Sequence, residues 1–302
     1  MNSPKDLVSV VIATFNPDLS KLQRAVRSVD CPEVQEVLVV DDGSAQEVPV
    51  PTGEFVDVRC IRQENRGPSS ARNLGSEHVR GKYLLFLDDD DWMEPGSVRA
   101  LVFCAESEGA DVAYCRTQHY WPDGSKSSPD CPQIPIDSFH FILAGNPISV
   151  HAALIRREAF EASNRFDTTL KSCEDWDLWL KLVENSFKFA YCECEGAAYF
   201  HRHGSLTGNP RSMWRSTVSL MRKHGKRHAN CRLCENASRT ALSNMYLGFV
   251  FRRFQGKKLG VVGKAMKFHI QNPDAIGYWI RTWISQMRIN LGSIRNKVSK
   301  VS

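Results

Sequence analysis

Four adjacent aspartates, Asp88 to Asp91, close an apolar run in "YLLFLDDDDWMEP" (83–95). Carboxylates in series repel one another, so something they hold has to offset the repulsion. A hard divalent cation such as Mg2+ or Mn2+ would do so. It prefers carboxylate oxygens, keeps some of its water and takes the rest of its shell from phosphates. Two further acidic pairs stand elsewhere in the chain: Asp41–Asp42 in "VLVVDDGS" and Glu174–Asp175 in "CEDWDLWLKL". Each has a plainer reading. "DDGS" is also an ordinary turn, the four aspartates a solvated loop, and Glu174–Asp175 acids capping a helix. Asp91 alone is enough to serve the positive start of a following helix. The cation explains the other three.

The elements that must position these groups alternate along residues 1–210. Short β-branched runs at 8–14, 36–40, 57–61, 83–87, 111–115 and 150–156 read as strands. Helical patterns fill 19–29, 69–79, 96–107 and 157–162. Continuous apolar strands alternating with helices predict an α/β fold, a mainly parallel sheet covered on both faces. Ligands of such sheets bind beyond the carboxyl ends of the strands. That rule selects Thr14, Phe15 and Asn16 after the first strand, Asp41 to Ser44 after the second and Asp88 to Asp91 after the fourth. Neither GxGxxG nor GxxxxGK[ST] occurs, which removes the main support for dinucleotide dehydrogenases and P-loop enzymes.

The chain has 302 residues, 42% hydrophobic and 24% charged, as in an ordinary globular protein. No apolar stretch is long enough to span a bilayer. The start does not read as a signal peptide. With ten cysteines scattered through such a chain, reduced thiols and a cytoplasmic location are expected. The net charge of +5 hides an uneven distribution. From Arg211 onward there are 19 Lys and Arg against Glu235 and Asp274, so residues 1–210 are acidic. An acidic body and a basic helical region at 211–302 imply different partners.

Together the pieces "VSVVIATFN", "VLVVDDGS", "ENRGPSSARNLG", "GKYLLFLDDDDWMEPGSV" and "CEDWDLWLKL" resemble the family 2 glycosyltransferases in order and spacing, over roughly residues 6–208. The resemblance implies a GT-A (Rossmann-like) catalytic domain at 1–210 and inverting transfer from a nucleotide-diphosphate sugar, UDP-linked by preference. It also implies residue roles. Asp41, with Asp42 beside it, would face the donor base, and Thr14 and Asn16 would line the nucleotide pocket. Phe15 stands where many relatives have Tyr. Arg72 and Asn73 would steady the pocket; Arg66 replaces a commonly small residue. In the DxD-like element, Asp90 would be the direct ligand of Mn2+ or Mg2+, Asp88 and Asp89 would face ribose and diphosphate, with Asp88 also near the metal, and Asp91 would support the helix behind. Asp175 matches the catalytic base and Glu174 would brace it. In "AAYFHRHGSLT" both His201 and His203 compete to reach the diphosphate or metal, and His203 is preferred.

The basic region reads as helices over 211–227, 232–254, 258–270 and 275–292. Trp279, Trp283 and Met287 alternate there with Arg281, Arg288 and Arg295. Either this region packs on the body with a solvated basic face, or it adsorbs to an anionic inner membrane surface. The second suits a glycan or lipid-linked acceptor. No recognised module supports nucleic-acid binding. A catalytically silent scaffold of the same fold, docking through its basic helices, is the competing function; the joint presence of Asp41, Asp88, Asp90 and Asp175 speaks against it. A zinc site from "CEC" (192–194) and "CRLC" (231–234) is not expected, because a CxC on a strand alternates faces and CRLC lies in a helical pattern.

Overall fold

The computed structural model describes residues 7–128, 131–135, 138–194, 196–201, 210–228 and 230–254. In chain order the elements are β1 (Val8–Thr14), α1 (Leu19–Ser28), β2 (Val34–Asp41), β3 (Asp57–Arg62), α2 (Pro68–Glu77), β4 (Tyr83–Asp88), β5 (Trp92–Met93), α3 (Ser97–Glu108), β6 (Val112–Tyr114), β7 (Thr117–Tyr120) and β8 (Lys126–Ser127). There follow α4 (Ser138–Ala144), β9 (Ala153–Arg156), α5 (Arg157–Ala162), α6 (Glu174–Glu184), β10 (Phe189–Tyr191), β11 (Ala197–Phe200), α7 (Pro210–His224) and α8 (Arg232–Phe254).

Seven strands form the main sheet in the order β10-β6-β9-β4-β1-β2-β3. It is parallel except at β9, which runs antiparallel to both β4 and β6. The β-branched and aliphatic residues of β1, β2 and β4 are almost all fully buried, as expected of strands covered on both faces. Gly75 of α2 shows how closely the helices lie: a Cβ there would overlap the Val11 side chain of β1. Asp18 caps α1 by accepting from the N–H groups of Ser20 and Lys21.

A smaller sheet has the order β5-β11-β7-β8, and its β11 donates from the Phe200 N–H to Asp91, just beyond β4. Its strands are two to four residues long, too short to leave a period in the sequence. Gly196, at φ 94°, immediately precedes β11; a side chain there would collide with the Arg116 carbonyl.

Three expectations change in detail. The run 150–156 is not a single strand: Val150–Ala152 is one turn of 3-10 helix and only β9 pairs. Cys192 and Cys194 lie beyond the end of β10 rather than on a strand. Cys231 precedes α8, and Cys234 sits in its first turn. Both α7 and α8 pack on the body; α8 lies against α4 and α7, with Leu220, Cys234, Ala237 and Ala241 buried. Segments 258–270 and 275–292, with Trp279 and the residues around it, lie outside the described residues. Among the described residues no helix is long and apolar enough to cross a membrane.

Candidate active site

The first three parallel strands to carry polar ends deliver them to one place. Register pairs Thr14 of β1 with Asp41 of β2, and Ala13 with Asp88 of β4. Beyond these ends opens a cavity of about 790 Å3. Thr14, Phe15, Asp42, Arg72, Asp88, Asp89 and Asp90 line it, together with Asn146, Glu174, Asp175, Tyr199 and His201.

Residues grouped together by sequence now divide. Asp41 is 1% exposed. Its carboxylate accepts from the Ser44 N–H at 2.9 Å and pairs with Arg62 at 3.3 Å, which holds the turn after β2. Asp42 faces the cavity and accepts from Gln63 and from the backbone N–H groups of Arg66 and Gly67. Arg66 thus contributes through its backbone. Asn16, at φ 49°, is tied to the neighbouring loop: its N–H donates to Ser44 Oγ and its Oδ1 accepts from the Ala45 N–H. Asn73 exchanges two hydrogen bonds with the Phe166 backbone. Asn16, Asp41 and Asn73 therefore build the walls from behind. His203 lies outside the described residues.

The four aspartates are unequal. Thr14 Oγ1 donates to Asp89 at 2.5 Å. The Asp90 carbonyl accepts from Arg24 at 2.7 Å, and that guanidinium lies 3.9 Å from the centre of the Trp92 ring. Asp91, 1% exposed, accepts from the Phe200 N–H at 2.7 Å. Burial, with Asp88 and Asp90 close by, pushes its carboxyl well above the usual range. Its other oxygen is 3.2 Å from Nδ1 of the buried His151, and neither His151 ring nitrogen has a hydrogen-bond partner. Burial lowers this imidazole to about 4, so it is neutral and fit to be a ligand. Ligand atoms of Asp88, Asp91 and His151 all lie within 4.8 Å of one another. Two carboxylates with a neutral imidazole beside them and orphaned buried polar atoms suit a divalent cation, the carboxylates favouring Mn2+ or Mg2+. His151 gave no signal in sequence: it occupies a position read as part of an apolar strand.

Arg72 links this acidic end to Glu174 and Asp175. It is 3% exposed and donates to Asp88 at 2.5 Å and to Glu174 at 2.8 Å. Burial opposes its charge, but Asp88 and Glu174 outweigh that and raise its pKa. Beside Glu174, Asp175 begins α6 after Cys173, whose left-handed backbone (φ 64°) is uncommon for a residue with a side chain. Two indole N–H groups fix the helix: Trp176 donates to the Ile142 carbonyl and Trp179 to that of Ile148. Between those carbonyls lies Asn146, whose amide donates to Asp175 at 2.9 Å. Withdrawal from solvent, then repulsion from Glu174, pushes Asp175 up to about 7. A carboxylate poised there is suited to taking a proton near neutral pH.

The model of the family described as glycosyl transferase family 2 matches residues 9–162, just over half of the chain. The chain belongs to glycosyl transferase family 2. This family 2 chain is 29% identical over 217 residues to the succinoglycan biosynthesis protein ExoO of Rhizobium meliloti (strain 1021), covering 66% of itself and 62% of ExoO. With ExoU of the same organism it shares 29% over 236 residues, 70% of this chain and 66% of ExoU. It therefore spans less than two thirds of the length of either relative. In fold it is similar to S. aureus TarS 1-349, solved with UDP-GlcNAc, at a TM-score of 0.57 and 18% identity over 80% of this chain and 71% of that one. The mainly parallel sheet with flanking helices is the GT-A fold.

Proposed function

We propose that this family 2 chain transfers a sugar from a nucleotide-diphosphate donor to an acceptor hydroxyl with inversion at the anomeric carbon. The observation that carries the reading is Asp175: a carboxylate held near 7 on the cavity wall, joined through Glu174 and Arg72 to the acidic strand end. The acceptor hydroxyl would approach Asp175 directly. Asp175 takes its proton as oxygen attacks the anomeric carbon from the face opposite the leaving diphosphate. One displacement of this kind inverts the centre and leaves no covalent intermediate.

Asp88, Asp91 and His151 would hold Mn2+ or Mg2+, with Asp90 also lining the cavity. When bound, the ion offsets charge on the departing diphosphate. Asp42 and Asn65 line the cavity and would face the donor base, while Asp41 secures the turn after β2. Arg72 orients both acidic ends. That S. aureus TarS 1-349 was solved with UDP-GlcNAc and with UDP favours a UDP-sugar. The succinoglycan biosynthesis in the names of ExoO and ExoU favours polysaccharide synthesis. The basic charge after residue 210 favours a peripheral position on an anionic inner membrane surface.

The test is a panel of UDP-, GDP- and dTDP-sugars with Mn2+, read first by thermal shift, since a bound donor stabilises by mass action, then by nucleotide release. Product anomeric configuration by NMR reads the stereochemistry. A retained configuration, or full turnover by Asp175→Asn with the true acceptor, sinks the assignment.

A further inference from the structure

Where the α7–α8 connection meets α4, four residues with metal-ligating side chains converge. His228, Cys231 and Cys234 come from the α7–α8 connection and the first turn of α8; His140 comes from α4, 94 residues before Cys234. Cys234 is buried, His140 and Cys231 half-buried and His228 exposed. Their ligand atoms all lie within 4.8 Å of one another. Cys234 Sγ is 3.4 Å from His140 Nε2 and 3.4 Å from His228 Nδ1; Cys231 Sγ is 3.6 Å from the same His140 nitrogen.

We propose that His140, His228, Cys231 and Cys234 bind one Zn2+ in a closed tetrahedral site that clamps α8 to α4. Hydrogen bonding accounts poorly for the arrangement. One sulfur meets two nitrogens and one nitrogen meets two sulfurs, while a thiol has a single proton to give. A cation at the centre satisfies all four. A tetrahedral centre with Zn–S of about 2.3 Å and Zn–N of about 2.1 Å sets S···N edges of about 3.6 Å, which the three separations match. Two thiolates and two imidazoles select zinc over magnesium or manganese. Four protein ligands leave no open position, so the site is structural rather than catalytic.

The sequence spreads this set too widely to be read. The CRLC half is visible; its partners are not the CEC pair but two histidines, and His140 is brought in only by the packing of α4 on α8. The consequence reaches the cavity. α4 leads into Asn146, the hydrogen-bond donor to Asp175, and carries the Ile142 carbonyl that takes the Trp176 indole. The clamp thus fixes the wall behind Asp175, and the site stands whether or not the chain transfers sugar.

The experiment uses the full chain purified without chelator. Elemental analysis should find one zinc per chain, absent from Cys231→Ser/Cys234→Ser and from His140→Ala, and kept by Cys192→Ser/Cys194→Ser. Replacement by Co2+ should give a tetrahedral ligand-field spectrum with a thiolate-to-cobalt charge-transfer band. Chelation of zinc should lower the melting temperature. Wild-type chain that takes up neither zinc nor cobalt, or Cys231→Ser/Cys234→Ser that retains full zinc, overturns the proposal. If the cysteine variant does not fold, the cobalt spectrum of the wild-type chain decides: an octahedral spectrum without the thiolate band places the metal at carboxylates and also overturns it.

Discussion

Asp175 and Asp177 stand two residues apart at the start of one helix, and the fold gives them opposite characters. Asp175 faces the cavity with Glu174 beside it and is pushed up to about 7. Asp177 faces α7 and is fully buried. Although burial opposes its charge, His224, Lys181 and Lys223 hold its carboxyl well below the usual range, with His224 and Lys223 both at 2.8 Å. One region leaves a carboxylate under-compensated next to open space; the other surrounds a carboxylate with cations where no ligand can reach. An under-compensated charge is costly to stability and useful to chemistry. A compensated one is neither reactive nor dispensable.

The comparison can be broken at either residue. Asp175→Asn should reduce kcat by about 10²–10⁴-fold, the range of a lost general base, while the melting temperature holds or rises because a repulsive charge has gone. Asp177→Asn should do the reverse. It leaves Lys181, Lys223 and His224 around a neutral group and should cost about 3–5 kcal/mol of stability, read by denaturant unfolding, with turnover of the folded fraction preserved. Equal effects on rate and stability in both variants would remove the distinction.

Smaller effects sharpen it. The rate should rise with pH along a limb centred near 7, because the proposed base Asp175 would work without its proton. Glu174→Gln removes the like charge and should move that limb to lower pH. In stability the signs also oppose. Asp175, raised above 3.8, contributes most below that value and loses its contribution as pH climbs through about 7. Asp177, lowered from 3.8, contributes above that value and loses it only as pH falls through its folded value. His224 is raised above 6.5, because Asp177 and Glu184 outweigh the burial that opposes its charge. Its contribution is full below 6.5 and fades as pH rises through the folded value, so His224→Gln should flatten the stability curve on the alkaline side. A pH titration of melting temperature reads all three.

What was legible in the sequence follows from range. The apolar runs of β1, β2 and β4 and the acids at their ends are local patterns, and strand ends of a parallel sheet must share an edge. The α6 tryptophans announce a buried helix. Asp177 does not announce its partners, since His224 arrives from another helix. β9 could not be read as antiparallel, because direction leaves no mark on four residues. His151 was hidden inside a run that reads as an apolar strand, Asn146 reaches the cavity from a segment without period or motif, and Asn16, Asp41 and Asn73 have the expected residue types but spend them on neighbouring backbone.

Arg72 has a further consequence. It divides one guanidinium between Asp88 and Glu174. A donor complex that draws Asp88 away leaves that guanidinium to Glu174, and a better-neutralised Glu174 repels Asp175 less. Loading the donor end would then loosen the proton on the base, and linkage requires the converse: a base already free of its proton favours the loaded donor end. Buried Arg72 makes proton affinity and donor affinity two readings of one balance. Its signature is donor affinity that strengthens with pH in step with the rate, and that loses this dependence in Glu174→Gln.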